Sequence, residues 1–241
     1  MPISIYEAVT AGDCAGHDAH VAWMAAHFSV AGTGVSNLPR RLPPGSLLIL
    51  DDRIPWQNHD AQRICQELLQ AVANLACSGI LLDLEREPCP QTQSFCALLC
   101  TCCQQHSIPL AMPPAYGLSL PTALFLPPLP CWPGPEAVLQ PFSGRELWLD
   151  AAESGCVAEI GRTSVQISPA DPAALQAQAE GQAVFWHDGL CCRYYSSRMG
   201  EQIRVALYDT RQTMAQKLDI CAKLGVSVAV MPWVKSMLLR R

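Results

Sequence analysis

The sequence predicts one α/β domain over residues 1–241, built on parallel strands. Three observations lead there. The chain has 241 residues, which suits one large core better than two small ones. Half of its residues are hydrophobic and only 15% are charged, against roughly 25% in an average soluble domain. Strands buried on both faces, as in parallel sheets, account for such a composition. Short apolar runs also alternate with amphipathic helical stretches, the β-α-β order of right-handed crossovers.

At the N-terminus, residues 3–8 read as a first strand and residues 19–28 as a helix. Residues 46–52 (SLLILDD) form a short apolar run ending in two carboxylates. Residues 60–76 follow with apolar side chains at 64, 65, 68, 69, 72, 75 and 76, a helical stripe. Residues 79–85 (GILLDLE) are the next strand, and residues 93–105 a Cys-rich helix. Strands at 108–112 and 123–126 are each stopped by a Pro pair, and residues 146–149 (ELWL) read as another. The Pro-rich stretch 113–141 reads as an ordered loop system. Residues 151–207 read as a small α+β insertion: β-like pieces around Gly161, a short helix at 172–180, and hairpins over 183–208 turning at Asp188-Gly189 and Met199-Gly200. The alternation returns with a helix at 212–223, ended by Gly225, and a strand at 226–231.

Charge and motif content exclude several classes. The net charge of −5 and the absence of any Lys/Arg cluster larger than Arg240-Arg241 argue against nucleic acid. No apolar run reaches about 18 residues, so no membrane span is expected. The first residues show no basic-then-apolar signal, so a cytoplasmic location with reduced thiols is expected. Thirteen Cys at irregular spacing make no disulfide framework. Cys96, Cys100, Cys102 and Cys103 lack a paired CxxC arrangement and read as small buried hydrophobes. His17, His20 and His27 have no convincing co-ligands, so no metal and no other cofactor is expected. No phosphate loop and no Gly-x-Ser-x-Gly elbow occurs. The apolar composition also raises the expectation of a homodimer.

One segment carries chemistry. Asp83 and Glu85 are two apart at the end of GILLDLE, so on an extended strand they project to one face, with Leu82 and Leu84 on the other. The C-terminal end of a parallel strand is where α/β active sites form. Two neighbouring carboxylates cannot ionise independently, and the raised pKa of one suits a general acid. The competing reading is a cap or a pair with Arg86 or Arg53. Asp51 and Asp52 end the preceding strand and stand open to the same choice: substrate contact, or a cap.

The stretch from Ser78 to Glu85 resembles the fourth-strand signature of the family 18 glycoside hydrolases, Asp-Gly-x-Asp-x-Asp-x-Glu, matching at Gly79, Asp83 and Glu85. A second stretch is similar to the end of the same barrel in the spore-cortex branch of that family: Tyr208-Asp209, a helix with central Lys217, Leu224-Gly225, and a strand closing on Trp233. Order and spacing agree over residues 46–233. The resemblance implies a TIM-type (β/α)8 barrel with the α+β insertion before its last strand. It implies action on β-linked N-acetylglucosamine glycans, of chitin-oligomer or peptidoglycan type, with a link to sporulation.

Hydrolysis in that family is retaining and substrate-assisted. Glu85 would protonate the glycosidic oxygen. Asp83 would orient the acetamido group whose carbonyl oxygen attacks the anomeric carbon. Trp233 would floor the sugar site, and Tyr116 would hold the acetamido group. Trp56 and Trp132, on loops expected at the same end, are candidate sugar platforms. The chain departs from the signature at Ser78 and Leu81, and its sixth strand (ALFL) lacks the family's Tyr-Asp. The alternative is a barrel without catalytic activity that binds glycan or serves as a scaffold.

Overall fold

The computed structural model describes residues 2–10, 21–30, 34–56 and 59–232. Its elements run β1 (Ser4–Val9), β2 (Val21–Phe28), β3 (Val35–Ser36), β4 (Leu47–Asp51), α1 (Ala61–Leu75), β5 (Gly79–Asp83), α2 (Pro90–Gln105), β6 (Leu110–Met112), α3 (Pro114–Gly117), β7 (Ala123–Leu126), α4 (Pro135–Leu139) and β8 (Leu147–Asp150). They continue with β9 (Gly155–Ile160), β10 (Val165–Pro169), α5 (Pro172–Gln178), β11 (Phe185–His187), β12 (Cys192–Met199), β13 (Gln202–Tyr208), α6 (Arg211–Lys223) and β14 (Val226–Pro232).

Eight strands pair in parallel in the order β1-β2-β4-β5-β6-β7-β8-β14, and β14 pairs back onto β1, so the sheet closes into a TIM-type barrel. The short β3 hangs antiparallel on β2 outside the ring. Helices α1, α2 and α6 are full length, whereas α3 and α4 have four and five residues. The prolines of the 113–141 stretch explain the stunting, because each removes a backbone donor and restricts the residue before it.

Residues 19–28, expected as a helix, instead contain β2, the second barrel strand. Its sequence VAWMAAHF is apolar on nearly every residue because both strand faces are buried: Ala22 and Met24 face the barrel interior, and Val21 and Trp23 the outer layer. An unbroken apolar run carries no period to separate strand from helix.

Two of the three full helices, α1 and α6, have a readable cap. Asp60 accepts a hydrogen bond from the backbone N–H of Arg63 at the start of α1. Thr210 and Thr213 form a reciprocal capping box on α6. Gly225, at φ +99°, makes the left-handed turn that sends α6 into β14.

Three apolar layers organise the barrel. Tyr6, Ile49, Leu81, Phe125, Trp148 and Val230 fill its interior. Outside it, α1 and α2 pack on Phe28, Leu48, Leu50, Ile80 and Leu82, while α4 and α6 pack on the opposite side against Leu124, Leu149 and Ala229. Cys96, Cys100 and Cys103 of α2 belong to the first outer layer as buried hydrophobes. Burial pushes the thiols of Cys65, Cys96 and Cys103 up to about 12.

Residues 151–209, between β8 and α6, form a second sheet. It is antiparallel, ordered β10-β9-β13-β12-β11, with α5 on one face. A buried ion pair fastens its base to the barrel. Lys217 Nζ donates to Asp209 Oδ2 at 2.8 Å, both side chains being essentially sealed from solvent. The same carboxylate accepts from the Ser154 N–H and the Thr213 hydroxyl, and Lys217 reaches the Leu129 carbonyl at 3.5 Å. One charge pair thus ties together the entry and exit of the insertion, the loop after β7, and α6.

Candidate active site

Side chains alternate in and out along a strand, and the interior positions are known from the packing. On β4 they are Leu47 and Ile49, on β5 Leu81, and on β8 Trp148. Extending each alternation by two residues brings Asp51, Asp83 and Asp150 to the C-terminal mouth of the barrel. Register agrees: Asp51 stands opposite Asp83, and Asp150 opposite the interior residue Val230. The mouth is therefore ringed by three aspartates from strands three, four and seven of the barrel.

Asp83 is partly buried, and among the described residues no side chain hydrogen-bonds or pairs with its carboxyl. Its pKa is raised from 3.8 to about 6. Burial is the largest cause, followed by the negative charges of Glu85, Asp150, Asp51 and Asp52. Burial also raises the pKa of Asp150, against a hydrogen bond from the Ala152 N–H that lowers it. Asp51 is buried and accepts the Arg53 N–H at 3.2 Å. The Arg53 Nε lies 2.8 Å from Asp51 Oδ2, but its N–H is not aimed at that oxygen, which makes no hydrogen bond.

The strand ends at Asp83, so Glu85 sits in the loop just beyond it, exposed and within electrostatic reach of Asp83. Asp52 builds that loop. Its two carboxylate oxygens accept the backbone N–H groups of Glu85 (3.1 Å) and Arg86 (3.0 Å). Arg86 returns the contact, donating from Nε to the Asp52 carbonyl and from Nη2 to the Arg53 carbonyl. The Tyr116 hydroxyl donates to the Arg86 carbonyl at 2.8 Å. Arg86 thus holds carbonyls and does not pair with the acids of the mouth.

The sequence-derived candidates separate on this geometry. Asp51 and Asp83 share the mouth, with Glu85 beside them. Asp52 and Tyr116 grip the backbone that carries Glu85. Trp56 packs in an aromatic cluster with Phe28, His59 and Phe95, at centroid distances of 5.1–5.2 Å, against the outer layer under α1 and α2. Trp132 is exposed on the loop after β7, next to the insertion sheet. Trp233 lies outside the described residues. Strand six presents Phe125 inward and no polar group at its end. Asp150 was missed by sequence reasoning. Its signal was the alternation of ELWLD, legible once Trp148 is placed inside.

Several solved structures share this fold. The spore cortex-lytic enzyme SleL of Bacillus cereus superposes with a TM-score of 0.57 at 11% identity, covering 99% of this chain and 73% of that one. A chitinase from Chromobacterium violaceum gives 0.52 at 14% identity, over 95% and 93%. A class V chitinase mutant from Nicotiana tobaccum, in complex with NAG4, gives 0.57 at 9% identity, over 98% and 94%. At these identities the likeness is one of fold, the closed TIM-type barrel. No protein-family model matches the chain, and no curated protein matches it by sequence.

Proposed function

We propose that this barrel acts on β-linked N-acetylglucosamine glycans, of chitin-oligomer or peptidoglycan type, by substrate-assisted retaining hydrolysis. The observation that carries the reading is the state of Asp83. It is a carboxyl at the end of barrel strand four, with no cation beside it, raised to about 6 by burial and by surrounding acids. Ionised Asp83 is unfavourable in the empty mouth. A positive charge developing on the substrate relieves that cost, so the interaction strengthens toward the transition state.

In this scheme the acetamido carbonyl oxygen attacks the anomeric carbon as the glycosidic bond breaks. The Glu85 proton goes to the leaving oxygen. Asp83 accepts the acetamido N–H and balances the oxazolinium charge. Water then opens the ring, giving its proton to Glu85, and the configuration is retained. Asp52 and Tyr116 act as positioning residues, since both hold the Glu85–Arg86 backbone. Asp150 acts on the proton of Asp83 by charge. Strand six offers no acid, so this strand-seven aspartate carries the negative field from across the mouth. The SleL and chitinase names among structures of this fold are consistent with such glycans.

A second reading, a glycan-binding barrel without turnover, is favoured by Leu81. That residue is fully buried where the signature has an acid, and the Tyr116 hydroxyl is already bonded to the Arg86 carbonyl. A chromogenic chitotriose glycoside, incubated with wild type and with Glu85→Gln, separates the two. Release by wild type and none by the variant supports hydrolysis. Saturable binding without release by either supports the second reading. Neither binding nor release overturns both.

A further inference from the structure

The insertion sheet has one covered face and one bare one. Alternation puts Val157, Tyr195, Ala206 and Tyr208 on the face that packs against Leu175 and Ala179 of the α5 segment. The opposite face is also apolar. Near the barrel it is closed by Cys131 and Leu190, which pack on Cys156, Cys192 and Leu207. Among the described residues its outer half has no such cover. There Ile160, Val165, Ile167 and Ile203, with Trp132 beside them, are between 37% and 62% exposed.

We infer that this outer half is the interface of a homodimer, in which the bare sheet face packs on the same face of a second copy across a two-fold axis. Area supports that occupant. The five residues expose roughly 500 Å², within the upper range for a monomer's largest patch and more than half of the about 800 Å² that each partner gives to a stable complex. The charge pattern points the same way. A two-fold contact sets a patch against itself, so any charge on it meets its own copy. Among the described residues, alternation places only Arg198 and His187 as titratable side chains near the rim of this face, along with Tyr194. Its centre is neutral.

A glycan fits this centre poorly. Its hydroxyls need hydrogen-bonding side chains, and on this face Ser196, Arg198, Tyr194 and His187 all lie on the β11–β12 side, away from Ile160, Val165 and Ile167. A second apolar sheet at about 10 Å spacing meets the same surface with apolar groups throughout. The insertion follows the C-terminal end of β8, so the second copy would stand beside the barrel mouth and leave the N-terminal end free.

Sedimentation equilibrium of the full chain tests the inference. Wild type is expected at twice 26.2 kDa. Ile167→Glu and Ile203→Glu, each placing a charge in the contact twice per dimer, should weaken association at least about 100-fold. Leu118→Glu, exposed at the opposite end of the barrel, should leave it unchanged, with circular dichroism confirming that all variants are folded. A wild-type monomer at about 100 µM overturns the inference. So does a dimer insensitive to both sheet variants, or one lost equally in Leu118→Glu. A monomer that binds chitohexaose, with binding abolished by Trp132→Ala, assigns the face to glycan and also overturns it.

Discussion

Replacing Asp83 with Asn should stabilise the protein at neutral pH. Folding raises the pKa of this carboxyl from 3.8 to about 6, so the folded chain binds the Asp83 proton more tightly than the unfolded chain does. The stability carried by that proton is fully present below pH 3.8 and is lost as pH rises through about 6. Each pKa unit corresponds to about 1.36 kcal/mol, so above the upper value ionised Asp83 costs the fold about 3 kcal/mol. Asparagine keeps the shape and removes the charge, together with its repulsion of Glu85, Asp150 and Asp51. For a chain of this size, about 3 kcal/mol corresponds to a Tm increase of roughly 6–12 °C. Thermal melts of wild type and variant across the acid-to-neutral range read this directly. Their Tm difference should vanish at the acid end and reach its maximum above the raised pKa. A difference that does not change with pH, or a variant less stable than wild type at neutral pH, would refute the claim that Asp83 is an unpaired acid in a desolvated mouth.

Asp150→Asn should let Asp83 ionise at lower pH, because the repelling negative charge of Asp150 disappears. The acid limb of the pH profile of kcat/KM should move downward by a fraction of a unit, or carbon NMR of the Asp83 carboxyl should show the same displacement without turnover. Asp52→Ala removes two charge-assisted bonds to the Glu85 and Arg86 backbone. It should cost about 2–3 kcal/mol in urea unfolding and lower kcat more than it raises KM. Lys217→Met leaves Asp209 buried with its charge unpaired, which should destabilise the fold by about 3–5 kcal/mol. The double variant Lys217→Met/Asp209→Leu should recover much of that loss in the same assay.

Much of the barrel could be read locally. The runs at Leu47–Asp51, Gly79–Asp83 and Ala123–Leu126 are short, apolar and bounded by turn signals, and each is a strand. The stripe of α1 and its Asp60 cap are equally local. By contrast, β2 hides in an apolar run with no period, and only its place between β1 and β4 makes it extended. Asp150 escaped for a related reason: one residue past a short strand, its direction is undefined until Trp148 is known to face inward.

The amino-acid order by itself determined where strands end in acids, and therefore that Asp51 and Asp83 stand at strand ends, with Glu85 two residues on, where chemistry can occur. Spacing and side-chain period are properties of neighbouring residues, and they survive without a fold. Only the tertiary structure decided what those acids experience. The ring closes through β1 and β14, some two hundred positions apart in the sequence. That closure sets Asp150 across from Asp83, and the pairing of β4 with β5 aims Asp52 at the Glu85 backbone. Desolvation and charge repulsion depend on distance through space, and the chain order does not carry that distance.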